Sequence, residues 1–246
     1  MTRADKLVFQ RGLAKSRIEA KSLILEGGVL CDGVTVKKPS ENLPDDAEIS
    51  VTKQTRKYIS RGGLKLEGAV SAFDINVEGA VCADIGASTG GFTDFLLKNG
   101  AKKVYAIENG HGQLDISLVN DSRVINMEGI NARYLEIKDI GEYCDIAVMD
   151  VSFISQTLIH SRVYSILKPG GIFISLVKPQ FEAGRENLGK RGIATPKAHE
   201  IAKQRVVESA LATGFEFRGM IRSPIDGGDG NVEFLAYFIK KGECGG

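Results

Sequence analysis

Residues 84–92 read D-I-G-A-S-T-G-G-F, directly behind the apolar run 80–83. Gly86, Gly90 and Gly91 form G-x-x-x-G-G, whereas a dinucleotide pyrophosphate is held by G-x-G-x-x-G. The looser turn suits a ligand that needs close backbone approach but carries no pyrophosphate. Asp84 puts a carboxylate beside this turn, and Glu108 ends the next apolar run 24 residues later, where a βαβ unit places an acid on ribose hydroxyls. S-adenosylmethionine has those two ends. Four further charges fall near strand ends: Asp150 closes I-A-V-M-D, Lys178 closes I-S-L-V-K, Glu233 starts the last apolar run, and Lys65 lies on a helix ahead of the first strand. Two lysines and two carboxylates suit methylation of a ribose 2′-hydroxyl, a very weak acid. A lysine shielded from water takes or steers the proton while the carboxylates hold the lysines and the hydroxyl in line with a sulfonium methyl.

The elements that must position these groups alternate. Apolar strands are expected at about 80–85, 103–108, 123–127, 145–150 and 172–177, with helical stretches between most of them and a helix over about 64–73 ahead of them. Continuous apolar strands separated by helices mean a parallel sheet buried on both faces. The end differs, because a helix over 196–213 leads to strands at 215–221 and 232–239 joined by a loop, and two strands joined without a helix run antiparallel. The expected fold class is therefore α/β, a class I S-adenosylmethionine-dependent methyltransferase with a Rossmann-like, mostly parallel sheet and an antiparallel last strand. Ligands bind such sheets at the carboxyl ends of the strands, so Lys65, Asp150, Lys178 and Glu233 are expected to converge there.

Ahead of this body stands a basic head. The first 25 residues carry Arg3, Lys6, Arg11, Lys15, Arg17 and Lys21 against two acids, although the whole chain is only +1. A short helix fits 5–10, and Ser16-x-x-Glu19 is a capping box for a second helix whose Ile18, Leu23, Ile24 and Leu25 face a core. The runs 29–31 and 34–36 around Asp32-Gly33 make a hairpin, and a strand is expected at 48–51. The result is a small α+β domain.

Composition excludes other classes. With 43% hydrophobic residues the 246-residue chain builds a real core, and its longest apolar runs fall far short of the roughly 20 residues a membrane span needs. The N-terminus has no apolar signal segment, so a cytoplasmic location is expected. Cys31, Cys82, Cys144 and Cys244 are far apart, and no metal site is expected.

The head, L-V-F-Q-R-G-L-A-K-S-R-I-E-A-K-S-L-I-L-E-G-G-V-L-C-D-G, resembles the RNA-binding domain shared by a small-subunit ribosomal protein, pseudouridine synthases and tyrosyl-tRNA synthetases. That resemblance implies that Arg11, Lys15, Arg17 and Lys21 approach RNA phosphates. The edge charges resemble the Lys-Asp-Lys-Glu tetrad of FtsJ-type ribose methyltransferases. R-K-Y-I-S-R-G-G-L-K-L, A-D-I-G-A-S-T-G-G-F-T-D-F-L-L, D-V-S-F-I-S, L-V-K-P-Q-F-E and G-N-V-E-F together resemble the TlyA group, known as hemolysins and as ribosomal RNA 2′-O-methyltransferases acting on cytidines. The resemblance implies an RNA-binding domain at 1–52, a linker at 53–63 and the methyltransferase domain at 64–246. It makes Lys65, Asp150, Lys178 and Glu233 the tetrad. It assigns Asp84, Gly86, Ser88, Thr89, Gly90, Gly91, Phe92 and Glu108 to the cofactor, with Glu128 and Asn131 toward its adenine. Arg61 and Gly62-Gly63 become a hinge that couples RNA docking to cofactor binding, with ribosomal RNA or ribosomal subunits as partner. One departure is I-E-N-G-H-G at 107–112, where relatives often have V-D-V-G-Y-G; Glu108 keeps the charge. A base-amine methyltransferase is the alternative enzyme, but D-V-S-F lacks the prolines of [ND]-P-P-[FY]. A membrane-active protein is the alternative that the group's other name suggests, and no apolar segment supports it.

Overall fold

The computed structural model of the chain describes residues 1–14, 16–25, 27–52, 57–227 and 230–242, without the side chains of residues 18, 22 and 25. Expectations placed on Lys15, on the side chains of Ile18 and Leu25, on linker residues 53–56 and on Cys244 lie outside these residues. The chain divides into two units, Met1–Lys57 and Tyr58–Gly246.

The first unit runs β1 (Thr2–Arg3), α1 (Ala4–Gln10), α2 (Arg17–Leu25), β2 (Val29–Cys31), β3 (Val34–Thr35), β4 (Asn42–Leu43) and β5 (Ile49–Val51). Ser16 Oγ accepts from the Glu19 amide at 3.1 Å, the bond that the S-x-x-E spacing requires. Asp32 and Gly33 both take positive φ, 49° and 79°, which turns β2 into β3 with the twist a two-residue hairpin needs. β2 pairs antiparallel with β3 and β5. The β1–β4 pair is an addition to the expected elements; two-residue strands are too short to show a period.

Ala4, Leu7, Val8, Ile24, Val29 and Ile49 build a small core. Asp5 is buried beside it. Its carboxylate accepts from Arg3 at 3.1 and 3.2 Å and from Arg17 at 2.9 Å. Burial alone would push this acid up, but the two guanidinium groups outweigh it and hold the carboxyl below its ordinary range. Arg11 in turn donates to the carbonyls of Ala47 and Asp45, each at 2.6 Å.

The second unit runs α3 (Gly62–Ala72), β6 (Val81–Ile85), α4 (Gly91–Lys98), β7 (Lys103–Glu108), α5 (Ile116–Val119), β8 (Val124–Glu128), α6 (Ile137–Ile140), β9 (Cys144–Met149), α7 (His160–Ile166), β10 (Leu167–Val177), α8 (Pro179–Glu182), α9 (Pro196–Thr213), β11 (Phe215–Arg222) and β12 (Phe234–Lys240). Among the described residues seven strands form one sheet, ordered β11-β12-β10-β9-β6-β7-β8. β6 to β10 are mutually parallel, and β12 is antiparallel to both of its neighbours. β12 thus enters between β10 and β11. Its Leu235, Ala236 and Phe238 are fully buried and need a strand on each side, whereas β11 is mostly half-exposed and tolerates the edge.

Each sheet face has its own apolar layer, one with α7 and α9 and one with α3 and α4. In α9 Thr195 Oγ1 accepts from the Ala198 amide at 3.2 Å, Pro196 occupies the first turn, and Gly214 stops the helix at φ 111°. Its buried Ala198, Ala202, Val206 and Ala210 recur every four residues, the period of a helix face.

Residues 58–63, expected in a linker, pack within the second unit. The Tyr58 ring lies 5.5 Å from that of Phe95, and the Ile59 amide donates to Asp94 Oδ2 at 2.8 Å. α3 accordingly begins at Gly62 rather than at Leu64. Helix propensity argues against two leading glycines, but a Cβ at Gly63 would collide with the Tyr58 ring, so close packing decides.

Because its folded pKa is depressed, Asp5 contributes stability above about pH 4 that is lost as pH falls below that value. Asp5→Asn is expected to destabilise the first unit by about 1–3 kcal/mol at pH 7, since two guanidinium groups lose their charged acceptor. Denaturant-dependent hydrogen exchange across residues 1–52 measures this, and an unchanged profile would make the buried ion pairs neutral to folding.

Candidate active site

β6 ends in Asp84 and Ile85, and Gly86 turns the chain away at φ +83°. A Cβ at Gly86 would collide with the Asp150 carbonyl, so the loops after β6 and β9 touch here without side chains between them. Asp84 is fully buried, and its Oδ2 accepts from Thr93 Oγ1 of α4 at 2.7 Å. Its Oδ1 is buried with no hydrogen-bond partner among the described residues. Burial pushes this carboxyl up to about 7; the charges of Asp150 and Glu108 add to the rise and the Thr93 bond opposes it.

Two adjoining cavities open on this edge. The larger, about 490 Å³, is lined by Gly86, Ser88, Glu108, Asn131, Asp150 and Phe153 among others. The smaller, about 190 Å³, is lined by Ser60, Lys65, Asp84, Thr89, Phe92 and Lys178 among others, and shares Gly86, Ser88, Asp150 and Ser152 with the first. Gly91 lines the smaller cavity, while Gly90 packs behind the turn against Leu114 and Leu118.

Glu108 reaches the larger cavity with its oxygens partly used: Oε2 accepts from the Ser88 amide at 3.0 Å and Oε1 from the Gly110 amide at 2.8 Å. A carboxylate has about four acceptor positions, so capacity for ribose hydroxyls remains. Glu128 does not line either cavity. Its carboxylate accepts from the amides of Gly112, Gln113 and Leu114 at 2.9, 2.7 and 3.1 Å, and these bonds pull it down to about 2. It shapes the loop whose Gln113 walls the larger cavity. Asn131 lines that cavity, with Oδ1 accepting from the Arg133 amide at 3.0 Å.

The four edge charges meet as two ion pairs. Lys65 Nζ of α3 donates to Glu233 Oε2 at 2.6 Å, with both side chains nearly sealed from water. Lys178 Nζ lies 2.5 Å from Asp150 Oδ1 and donates to Ser152 Oγ at 2.7 Å. Lys65, Asp150 and Lys178 line the smaller cavity together. Arg61, expected as a hinge, donates to the Asp226 carbonyl at 3.0 Å and so joins the start of α3 to the loop before β12.

Sequence reasoning missed three residues here. Thr93, nine residues after Asp84 on the first turn of α4, was the legible one. Ser152 lies inside D-V-S-F-I-S, where the motif gives it no role of its own. Phe153 is 92% exposed at the rim of the larger cavity, with φ +64° and its ring 5.2 Å from that of Phe181. On the first unit Lys6 and Lys21 are exposed, whereas Arg3, Arg11 and Arg17 also hold internal partners.

The family profile of FtsJ-like methyltransferases matches residues 58–240, and that of the S4 domain matches residues 2–49. The chain belongs to the FtsJ-like methyltransferase family. It is 40% identical over 237 residues to the 16S/23S rRNA (cytidine-2′-O)-methyltransferase TlyA of Mycobacterium tuberculosis, covering 96% of this chain and 88% of that one. Hemolysin A of Brachyspira hyodysenteriae is 42% identical, covering 96% and 99%. A solved structure of a candidate hemolysin from Streptococcus thermophilus matches with TM-score 0.78 at 44% identity, covering 98% and 88%. A candidate S-adenosylmethionine-dependent methyltransferase from Listeria monocytogenes, at 17% identity and TM-score 0.54 over 73% of this chain and 99% of that one, shares the fold.

A buried acid whose folded pKa is raised binds protons more tightly folded than unfolded, so its contribution falls as pH rises from about 4 to about 7. Asp84→Asn is expected to remove that decline and to raise ligand-free stability at pH 8 by on the order of 3 kcal/mol. Melting temperature measured from pH 4 to 8 decides it: parallel curves for the two proteins would mean that Asp84 carries no buried charge.

Proposed function

We propose that this FtsJ-like methyltransferase moves a methyl group from S-adenosylmethionine to the ribose 2′-hydroxyl of a cytidine in ribosomal RNA. The observation that carries this reading is the pairing of two lysines with two carboxylates around a cavity that adjoins an unpartnered, buried Asp84 oxygen. The residues fit the cofactor. Asp84 Oδ1 offers a buried acceptor to its ammonium, Glu108 offers acceptors to its ribose, and the larger cavity, walled by Ile107, Ile130 and Asn131, has room for adenine. When bound, the cofactor supplies an electrophilic methyl on a sulfonium.

The chain's own groups manage the hydroxyl. Lys178 Nζ is the group placed to take the proton of the 2′-hydroxyl, while Asp150 and Ser152 fix its direction. Lys65, held by Glu233, puts a second cation at the oxygen as negative charge develops there. The carboxylates also keep two like charges from repelling each other across a 190 Å³ cavity. The S4 domain supplies affinity for the RNA, with Lys6 and Lys21 among its exposed cations. Ribosomal subunits as the physical substrate, and a cytoplasmic site of action, belong to the same proposal. No described helix is long and apolar enough to cross a membrane.

Lys178→Ala is expected to slow single-turnover methylation of a ribosomal RNA fragment by about 10²–10⁴-fold with cofactor affinity nearly intact. Lys178→Arg is not expected to rescue it, because a guanidinium does not release its proton; an Arg variant as fast as wild type would reduce Lys178 to an electrostatic clamp. Calorimetric titration of Glu108→Ala with S-adenosylmethionine should show a loss of about 1–3 kcal/mol, the usual effect of removing a charged hydrogen-bond acceptor. Binding equal to wild type would take Glu108 out of the cofactor site.

A further inference from the structure

The return from α8 to α9 is a cationic loop that the chemistry above leaves unused. Residues 184–197 carry Arg185, Lys190, Arg191 and Lys197 against a single acid, Glu186, and all four cations are exposed. Among the described residues none of the four makes an ion pair or a side-chain hydrogen bond.

The loop is nevertheless built. Asn187 Nδ2 donates to the Ala183 carbonyl at 2.7 Å, the Gly189 amide to the Ile193 carbonyl at 2.8 Å, and Thr195 Oγ1 to the Asn187 carbonyl at 3.0 Å. Asn231, which is buried, accepts from the Ala194 amide at 2.8 Å and donates to the Gly192 carbonyl at 3.4 Å. It stands two residues before Glu233, so the segment that delivers a site carboxylate also anchors the loop to the catalytic edge. Two cations sit where folding alone disfavours them. Arg191 holds φ +63°, a conformation that glycine adopts without cost, and Lys197 occupies the first turn of α9, at the positive end of the helix dipole.

We infer that this loop is a second RNA-docking surface, on the catalytic unit itself, that takes phosphates flanking the target nucleotide through Arg185, Lys190, Arg191 and Lys197. Exposed cations on a rigid frame bind a polyanion by releasing its counterions, and little side-chain pairing has to be broken first. A grip on the chain beside the segment that carries Glu233 holds the RNA at the catalytic unit itself. The inference rests on the RNA-methylation reading only for the identity of the polyanion.

The test uses the full-length protein with Lys190→Gln and Arg191→Gly together. Glycine relieves the Arg191 backbone, so melting temperature is expected to hold or rise. Affinity for a ribosomal RNA fragment at about 150 mM salt should fall on the order of tenfold, and the slope of log K against log salt should become shallower by about 1.5, from about 0.7–0.9 per lost phosphate contact. Cofactor affinity should not change. A slope and affinity equal to wild type would overturn the docking surface. Should melting temperature drop, the Arg185→Gln, Lys197→Gln pair must reproduce the slope change, and its failure to do so overturns the proposal as well. Vesicles of phosphatidylserine and phosphatidylcholine form the last arm: loss of vesicle retention with RNA affinity unchanged assigns the loop to anionic lipid and refutes the inference. A wild type that binds RNA through this loop yet transfers no methyl group leaves the surface standing and removes the reaction instead.

Discussion

One nearly buried ion pair, Lys65 to Glu233 at 2.6 Å, joins the first helix of the second unit to the entry of its last strand, 168 residues away. Taking two charges out of water costs several kcal/mol each before their attraction returns it, so a pair of apolar residues of equal volume would serve folding at least as well. The pair makes sense through what it positions. α3 carries one wall of the smaller cavity, including Gly62 and Lys65, and the segment ahead of it packs Tyr58 against Phe95. Removing Glu233 would leave an ammonium in a near-dry pocket beside the reacting edge.

Asp84 follows the same logic with the sign reversed. An acid with one buried oxygen unpaired among the described residues and its pKa raised to about 7 opposes folding at neutral pH. Its neighbours show that the fold has means to satisfy carboxylates: Glu128 takes three amides and falls to about 2. Local rules broken at one position and kept at the next set Asp84 apart as the acid proposed to meet the cofactor's ammonium.

In the first unit the basic residues divide their work. Arg3 and Arg17 neutralise Asp5 from partly exposed positions, and Arg11 closes the carbonyls of residues 45 and 47. An arginine can do this and still present N–H groups outward, because its guanidinium has five donors. A basic count along the chain therefore overstates the charge available to a polyanion here, while the loop over 184–197, whose four cations have no internal partners among the described residues, is understated by it.

Sequence alone determined the parts governed by local rules. The strand runs at β6, β7, β9 and β10 are apolar because both of their faces are covered. α9 spans 196–213 as expected because Thr195-Pro196 starts it and Gly214 stops it. The glycine turn and the charges near strand ends were legible for the same reason, since a strand's boundary shows where its apolar run stops. Tertiary structure decided the partnerships. Which lysine meets which carboxylate, the insertion of β12 between β10 and β11, the packing of residues 58–63 and the diversion of Glu128 to backbone amides all join positions far apart in the chain. No period or cap encodes such pairings, because they follow from which surfaces must be buried together once the sheet has formed.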